Sequence, residues 1–426
     1  MLNRLVQPPI TDAVSFNLKL RQCEQYKLDN QVPVYSMHAG AQDVLMVEWV
    51  FKAGNWFEQK NIVAGTTNFL LKNGTSQKTA YQINDHFEFY GAYLNRTCYN
   101  ETASITLHCL SKHINALLPV VAEIIMDAVF PEDELNTYKQ NQQQKLSINL
   151  KKCDFIANRL IDEYIYGFHH PYGKYTSTLD YDQVNREDLL AFFKKFYAEG
   201  HCTIFTAGKI PTDLPQQLNQ YFGCLPLQER AIPNIQYNHQ PAVEKKHQII
   251  NDANGVQGAI RIARPFPNKH HPDYQKTQIL NNVFGGFFGS RLMSNIREDK
   301  GYTYGIHSYI QNHVGETAWM ISTEAGRDVC EATITEVYKE MELLRTELID
   351  EEELSLVKNY MLGTVLGDLD GPFQLIARWK NYVLNNLDEQ YFYNSVAIIK
   401  STGAEELHAL AKKYLDPASF YELTVI

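Results

Sequence analysis

The stretch "FPEDELNTYKQ" (130–140) reappears 219 residues further on as "IDEEELSLVKN" (349–359). In both copies an acidic run opens a long helical pattern, where the positive end of the helix dipole favours carboxylates. A second pair lies at nearly the same offset, "DFIANRL" (154–160) and "PFQLIARW" (372–379). Self-similarity at this period points to two copies of one α+β unit of roughly 200 residues each, a size that buries its own core.

Reading outward from the repeat gives each copy its elements. "DVLMVEWVFKAG" (43–54), "ASITLHCL" (103–110) and "HCTIFTAGKI" (201–210) read as strands from their β-branched and aromatic content or their alternation. Three- and four-residue apolar spacings predict helices over 115–130, 132–150 and 187–198. The stretch 225–246 carries three prolines and no sustained period, and its composition marks a linker. Beyond it strands are expected at 258–266, 317–326 and the C-terminus, with helices at 274–285, 328–347 and 350–366. The fold class expected is α+β, with two homologous tandem domains, each an antiparallel sheet with helices packed on one face. The domain division expected is 1–228, a linker at 229–246, and 247–426.

Composition narrows the function. The 426 residues are 44% hydrophobic and 21% charged, as in globular chains. A formal net charge of −10 argues against nucleic acid or an anionic membrane as partner. The seven cysteines are odd in number and lack a C-x-x-C pair, which suits reduced thiols rather than a disulfide frame or zinc knuckle. "MLNRLVQPPITDAVSF" (1–16) has no apolar leader core, and no uninterrupted apolar run is long enough to cross a bilayer. A cytoplasmic protein is the expectation.

Several motifs imitate chemistry. "GFHHPYGKYTS" (167–177) has one residue too many for a phosphate loop, and Tyr175 stands where a magnesium-binding hydroxyl is needed. "FGGFFGS" (284–290) is not a dinucleotide fingerprint and reads as close helix packing and a turn. The histidine pairs His169-His170 and His270-His271 fit no H-E-x-x-H or H-x-x-E-H pattern and read as surface or capping residues. The run Gln142-Gln143-Gln144 reads as a solvated helix face.

"SRLMSNIREDKGYTYGI" (290–306) is different, because it gathers Arg291, Arg297, Lys300, Tyr302 and Tyr304 around Gly301. Arg291 and Tyr302 read as structural. Arg297 and Tyr304 admit two readings: an ion pair with an acidic neighbour and a tyrosine packed at a strand start, or a site that grips substrate. Chemically the second is coherent, since an arginine fork binds a carbonyl or carboxylate and a phenol donates to an oxyanion.

The longer stretch "NNVFGGFFGSRLMSNIREDKGYTYGIHSYI" (281–310) resembles the second domain of the insulinase/pitrilysin zinc metallopeptidases, an inverzincin family that includes mitochondrial processing peptidase. The family pattern runs helix, glycine pair, S-R-L, R-E-x-x-G-x-x-Y, strand. "FKAGNWFEQKNIVAG" (51–65), residues 169–210 and "EEELSLVKNYMLG" (351–363) extend the likeness over almost the whole chain. The resemblance implies a LuxS/processing-peptidase-like fold in two homologous halves. It also implies that Arg297 and Tyr304 serve a zinc site.

That zinc site requires H-x-x-E-H and a downstream glutamate. Two histidines supply neutral nitrogen ligands, and the glutamate between them takes a proton from the metal-bound water. Anchored on Gly74-Thr75, the histidine positions fall on Gly65 and Phe69, the glutamate on Asn68, and the downstream glutamate near Gln143-Gln144, taken as Gln144. No His, Asp or Glu occurs between 61 and 84. No metal is therefore expected on this chain, and zinc is expected on a partner chain. The leading expectation is a non-catalytic subunit of a heteromeric zinc metallopeptidase, inactive alone, which lends Arg297 and Tyr304 to polypeptide substrate beside a zinc-bearing sister subunit. The alternative is a structural or peptide-binding scaffold, such as a homodimer, with no role in hydrolysis. An active metallopeptidase with unconventional ligands is a third reading.

Overall fold

The computed structural model describes residues 12–228 and 231–426. Residues 1–11 of the leader reading and 229–230 of the linker reading lie outside the described residues. The first sheet has six strands: β1 (Glu24–Lys27), β2 (Pro33–His38), β3 (Val44–Phe51), β4 (Tyr93–Cys98), β5 (Ala103–Leu110) and β6 (Cys202–Gly208). Their order is β1-β2-β6-β3-β5-β4. The second has five: β7 (Lys246–Ile249), β8 (Gln257–Phe266), β9 (Thr303–Asn312), β10 (Thr317–Gly326) and β11 (Tyr421–Val425), in the order β7-β11-β8-β10-β9.

With β1 set aside, the two orders are the same when strands are matched along the chain. The repeat read from residues 130–140 and 349–359 is thus a repeat of topology. Each sheet also holds a parallel pair, β2 with β6 and β7 with β11, where the sequence reading expected antiparallel sheets. The partners in these pairs lie far apart in sequence, and their intervening helices provide the crossover that parallel strands need.

The central strand β3 explains the core. Leu45, Val47, Trp49 and Phe51 alternate onto one face and join a single buried cluster with helices α1 (Val63–Leu70), α2 (Ala80–Phe89) and α3 (Ile114–Asp127). Trp49 is fully buried, with its ring 5.0 Å from Phe222, and such burial contributes about 1.5–3 kcal/mol per large side chain. The opposite face carries Met46, Glu48 and Val50, which are also buried. There Glu48 accepts from Lys380 Nζ at 2.8 and 3.0 Å. The helix face that bears Lys380 thus supplies this glutamate with its charge partner.

Two further helices follow the repeat's acidic signals, α4 (Glu132–Asn149) and α5 (Cys153–Tyr166). The second copy's helix, Glu351–Gly367, has an N-cap at Asp350, which accepts from Glu353 N at 2.7 Å. Contacts divide the chain into two compact units. One holds Gln22–Arg261, Gly371–Asn381 and Tyr421–Ile426. The other holds 12–21, Ile262–Asp370 and Tyr382–Phe420. This division does not follow two consecutive blocks at 229–246, because each half contributes short segments to the other unit.

Candidate functional site

In the unit that holds Ile262–Asp370, the "SRLMSNIREDKGYTYGI" stretch is built from unusual backbone. Helix Tyr274–Asn281 loosens into π-helical turns at Asn282–Gly286, and a second π-helical turn spans Met293–Asp299. Such wide turns are rare and concentrate at functional sites. Gly285 makes the close approach possible. A Cβ there would stand 2.7 Å from Ser308 Cβ and 2.8 Å from Leu292 Cδ1. Below it lies a buried polar network. Ser308 Oγ donates to Asn281 Oδ1 at 2.7 Å and accepts from Trp319 Nε1 at 2.8 Å, and Asn281 Nδ2 donates to Ser308 O at 3.0 Å. Gly301, at φ +65, ends the turn and sends the chain into β9. The β9–β10 register shifts between Thr323 and Ala325, opposite Thr303. A bulge of this kind re-aims the neighbouring side chain, which here is Tyr304.

The acidic neighbours of this stretch are already engaged. Arg291 makes a two-pronged pair with Glu353 at 2.8 and 2.7 Å. That bond, above all, raises the guanidinium's pKa, and the structural reading of Arg291 fits it. Asn295 Nδ2 donates to Glu336 at 3.2 Å and Glu340 at 2.7 Å, while Lys300 lies 3.7 Å from Glu336. Arg297 has no carboxylate partner among the described residues. Its guanidinium instead sits 4.8 Å from the Phe288 ring and 5.2 Å from the Tyr304 ring. Tyr304 is 91% exposed and Phe288 60%. The ion pair and the packed tyrosine of the bland reading are therefore both missing. Aromatic faces on the guanidinium hold it by cation–π attraction and leave its N–H edges for a ligand. Phe288 went unnoticed in the sequence because "FGGFFG" reads as a glycine turn.

In the unit that holds Gln22–Arg261, α1 is the helix the resemblance assigns to metal. Its sequence, VAGTTNFL, is rich in β-branched residues and contains glycine, so its intrinsic helix propensity is low. It is held by its surroundings. Glu58 accepts from Ile62 N at 3.3 Å and Ala64 N at 3.0 Å and lies 3.4 Å from Lys174 Nζ. Burial pushes the Glu58 carboxyl above its usual range, and Lys174 with these N–H donors opposes that rise. Beyond the helix, Gly74 has φ +145, a conformation that favours glycine.

The positions matched to the zinc ligands fill as follows. A Cβ on Gly65 would meet nothing within 4 Å. Asn68 is 2% exposed, and its Nδ2 donates to Ser104 O at 3.3 Å and Tyr197 Oη at 3.1 Å. Phe69 packs its ring 4.8 Å from Tyr138 of α4. Gln144 is exposed, and its neighbour Gln143 donates to Asp182 at 2.9 Å; the α4 side chain that meets Phe69 is Tyr138. Over Phe69 lies Arg96 of β4, with its Cζ 5.1 Å from the ring centroid and Nη1 donating to Phe69 O at 2.5 Å. Burial lowers the Arg96 pKa to about 10. This set does not fit zinc. It offers no imidazole or carboxylate, the Asn68 amide is spent on the protein interior, Gln144 is exposed, and a guanidinium stands over the helix.

Arg96 escaped the sequence reading because β4, YLNRTC, has no apolar alternation. The available signal was its phase: Arg96 shares a strand face with buried Leu94, so a charge sits where a core residue is expected. One histidine departs from the surface or capping reading of the 169–170 pair, because the fold encloses it in aromatic rings. His170 is 1% exposed, inside a box of Trp56, Tyr166, Tyr172 and Tyr237. Its Nδ1 accepts from Tyr172 N at 3.2 Å. With Nδ1 accepting, the neutral ring carries its proton on Nε2.

Comparison with known proteins places this geometry. Residues 183–361 match the family described as "Peptidase M16 inactive domain". The chain is similar to the "Uncharacterized zinc protease YmxG" of Bacillus subtilis (strain 168), 23% identical over 324 residues, which cover 74% of this chain and 77% of that one. It is also similar to the "Non-peptidase homolog YmxG" of Helicobacter pylori, 22% identical over 325 residues, 75% of this chain and 74% of that one. Among solved structures it resembles a peptidase M16 inactive domain from Pseudomonas fluorescens, with TM-score 0.83 and 23% identity over 95% of this chain and 98% of the other. At that identity the likeness establishes the fold.

Proposed function

We propose that this chain is an insulinase (M16) peptidase family member without the zinc motif, and that it is the non-catalytic subunit of a heteromeric zinc metallopeptidase. A sister chain bearing H-x-x-E-H supplies the metal and the base. This chain supplies Arg297 to orient the polypeptide substrate and Tyr304 to donate a hydrogen bond to the oxyanion. One observation carries the reading: Arg297 has no carboxylate partner among the described residues, and it stands beside a Tyr304 that is 91% exposed. An exposed phenol gains little from burial, so its placement beside an unpaired guanidinium has its natural use in binding. The asymmetry with α1, where the ligand positions hold Gly65, Asn68 and Phe69, supports a site completed by another chain.

The experiment is assembly. The chain is co-expressed with a zinc-bearing M16 chain from the same source, and the purified complex is assayed for peptide cleavage. Cleavage that requires both chains supports the proposal. Equal cleavage by the zinc-bearing chain alone contradicts it. A second reading, a peptide-binding scaffold or homodimer without a role in hydrolysis, draws on the non-peptidase description of the Helicobacter pylori relative and on β4 and β9, which end their sheets and can accept an added strand. It predicts peptide binding with no effect on any partner's rate.

A further inference from the structure

We infer that the former metal end of this fold has become a carboxylate-binding site, in which Arg96 and Lys72 take an acidic group of an extended peptide added along the edge strand β4. The inference rests on the reading that the chain handles extended polypeptide, and it concerns a different set of residues from Arg297 and Tyr304.

Three observations carry it. First, Arg96 is an arginine on the inward face of a strand, and no carboxylate pairs with it among the described residues. Its Nε is buried without a hydrogen-bond partner, and its one bond runs from Nη1 to Phe69 O. A buried guanidinium N–H without a partner is costly unless something completes it. Second, Lys72, just past α1, also forms no ion pair among the described residues. Burial and then the Arg96 charge lower its pKa, with Glu88 opposing. Two cations thus share one neighbourhood with a single acidic group, Glu88, acting on Lys72, and a second anion would ease their mutual repulsion. Third, β4 is the outer strand of its sheet, and exposed Tyr93 lies on the same strand. An extended peptide pairing there alternates its side chains, so every second one faces the side of β4 that bears Arg96. The Phe69–Tyr138 stack supplies a fixed aromatic floor under the guanidinium. The ligand is therefore a carboxylate on an extended chain, from an acidic side chain or a C-terminus.

The test uses the full chain and three fluorescently labelled decapeptides in one Thr/Val-rich frame, read by anisotropy. One has an internal Glu and an amidated end, one an internal Gln and an amidated end, and one an internal Gln and a free C-terminal carboxylate. Binding of either carboxylate-bearing peptide about tenfold tighter than the neutral one, equivalent to ~1.4 kcal/mol, is expected, and the tighter of the two names the source. The preference should vanish in Arg96→Met, persist in Arg96→Lys and weaken in Lys72→Glu, the variant read if Arg96→Met does not fold. Equal binding of all three peptides, no binding at all, or a preference that survives Arg96→Met and Lys72→Glu would overturn the inference. Because no sister chain is present, failure here leaves the shared-site reading standing.

Discussion

Asn68 and Tyr304 show how two conspicuous polar residues part company once their surroundings are known. Asn68 stands where the family resemblance expects a catalytic glutamate, yet it bonds Ser104 and the fully buried Tyr197. Replacing it by alanine strands a buried phenol and a carbonyl, and Asn68→Ala should destabilise the chain by about 1–3 kcal/mol in urea unfolding. Tyr304→Phe should stay within about 0.5 kcal/mol of the parent, since its hydroxyl meets solvent. His170 yields a pH prediction. Burial, then the neighbouring His239 charge, pushes its pKa from 6.5 to about 4. The native state therefore binds fewer protons than the unfolded one. The contribution is fully present above the unfolded value of 6.5 and is lost as pH falls toward 4. Unfolding free energy should drop on the order of 2–3 kcal/mol across that window. His170→Asn, which keeps an acceptor for Tyr172 N, should flatten the drop. The sequence singles out Arg297 and Tyr304 through the resemblance to a family pattern around Gly301, since their spacing alone suits an ion pair and a packed tyrosine equally well. It could not name Arg96, Tyr138 or Phe288, whose meaning depends on which ring or helix the fold sets against them.

Elements were legible in proportion to their length and pattern. β5 spans Ala103–Leu110 and β10 spans Thr317–Gly326, the ranges that alternation and β-branched content suggest. The helices at Glu132–Asn149 and Glu351–Gly367 begin at their acidic first turns. Helix α1 was legible through resemblance and not through propensity, because VAGTTNFL has little helical preference of its own and relies on Glu58 and the packing around it. The π-helical turns at 282–286 and 293–299 carry no periodic signal that separates them from ordinary helix. Their packing gives a further prediction. In Gly285→Ala the new methyl would collide with Ser308 and Leu292, so a loss of about 1–3 kcal/mol by overpacking is expected. The same variant should loosen the Arg297 turn, seen as faster amide exchange over 290–306 while β5 is unaffected.

At the scale of the whole molecule, the internal repeat is the strongest statement the sequence makes, and the matched strand orders of the two sheets express it. Boundaries were harder to read. Gly371–Asn381 and Tyr421–Ile426 group with Gln22–Arg261, and no compositional change marks segments that cross between units in this way. Among the described residues no helix is long and apolar enough to cross a membrane. The asymmetry between the halves matters most for function: one presents an arginine and a tyrosine, and in the other the positions that the resemblance matches to metal ligands hold an amide bonded inward and an aromatic stack, with a guanidinium beside them. The claim that Arg297 and Tyr304 act on a sister subunit's substrate is tested most directly by steady-state cleavage in the assembled complex, with the variants placed in this chain alone. Tyr304→Phe should lower kcat about 10²–10³-fold, as loss of an oxyanion donor does, and Arg297→Ala should lower kcat/KM, with the complex intact by size-exclusion chromatography. A complex that cleaves at the parental rate with both substitutions would contradict the account.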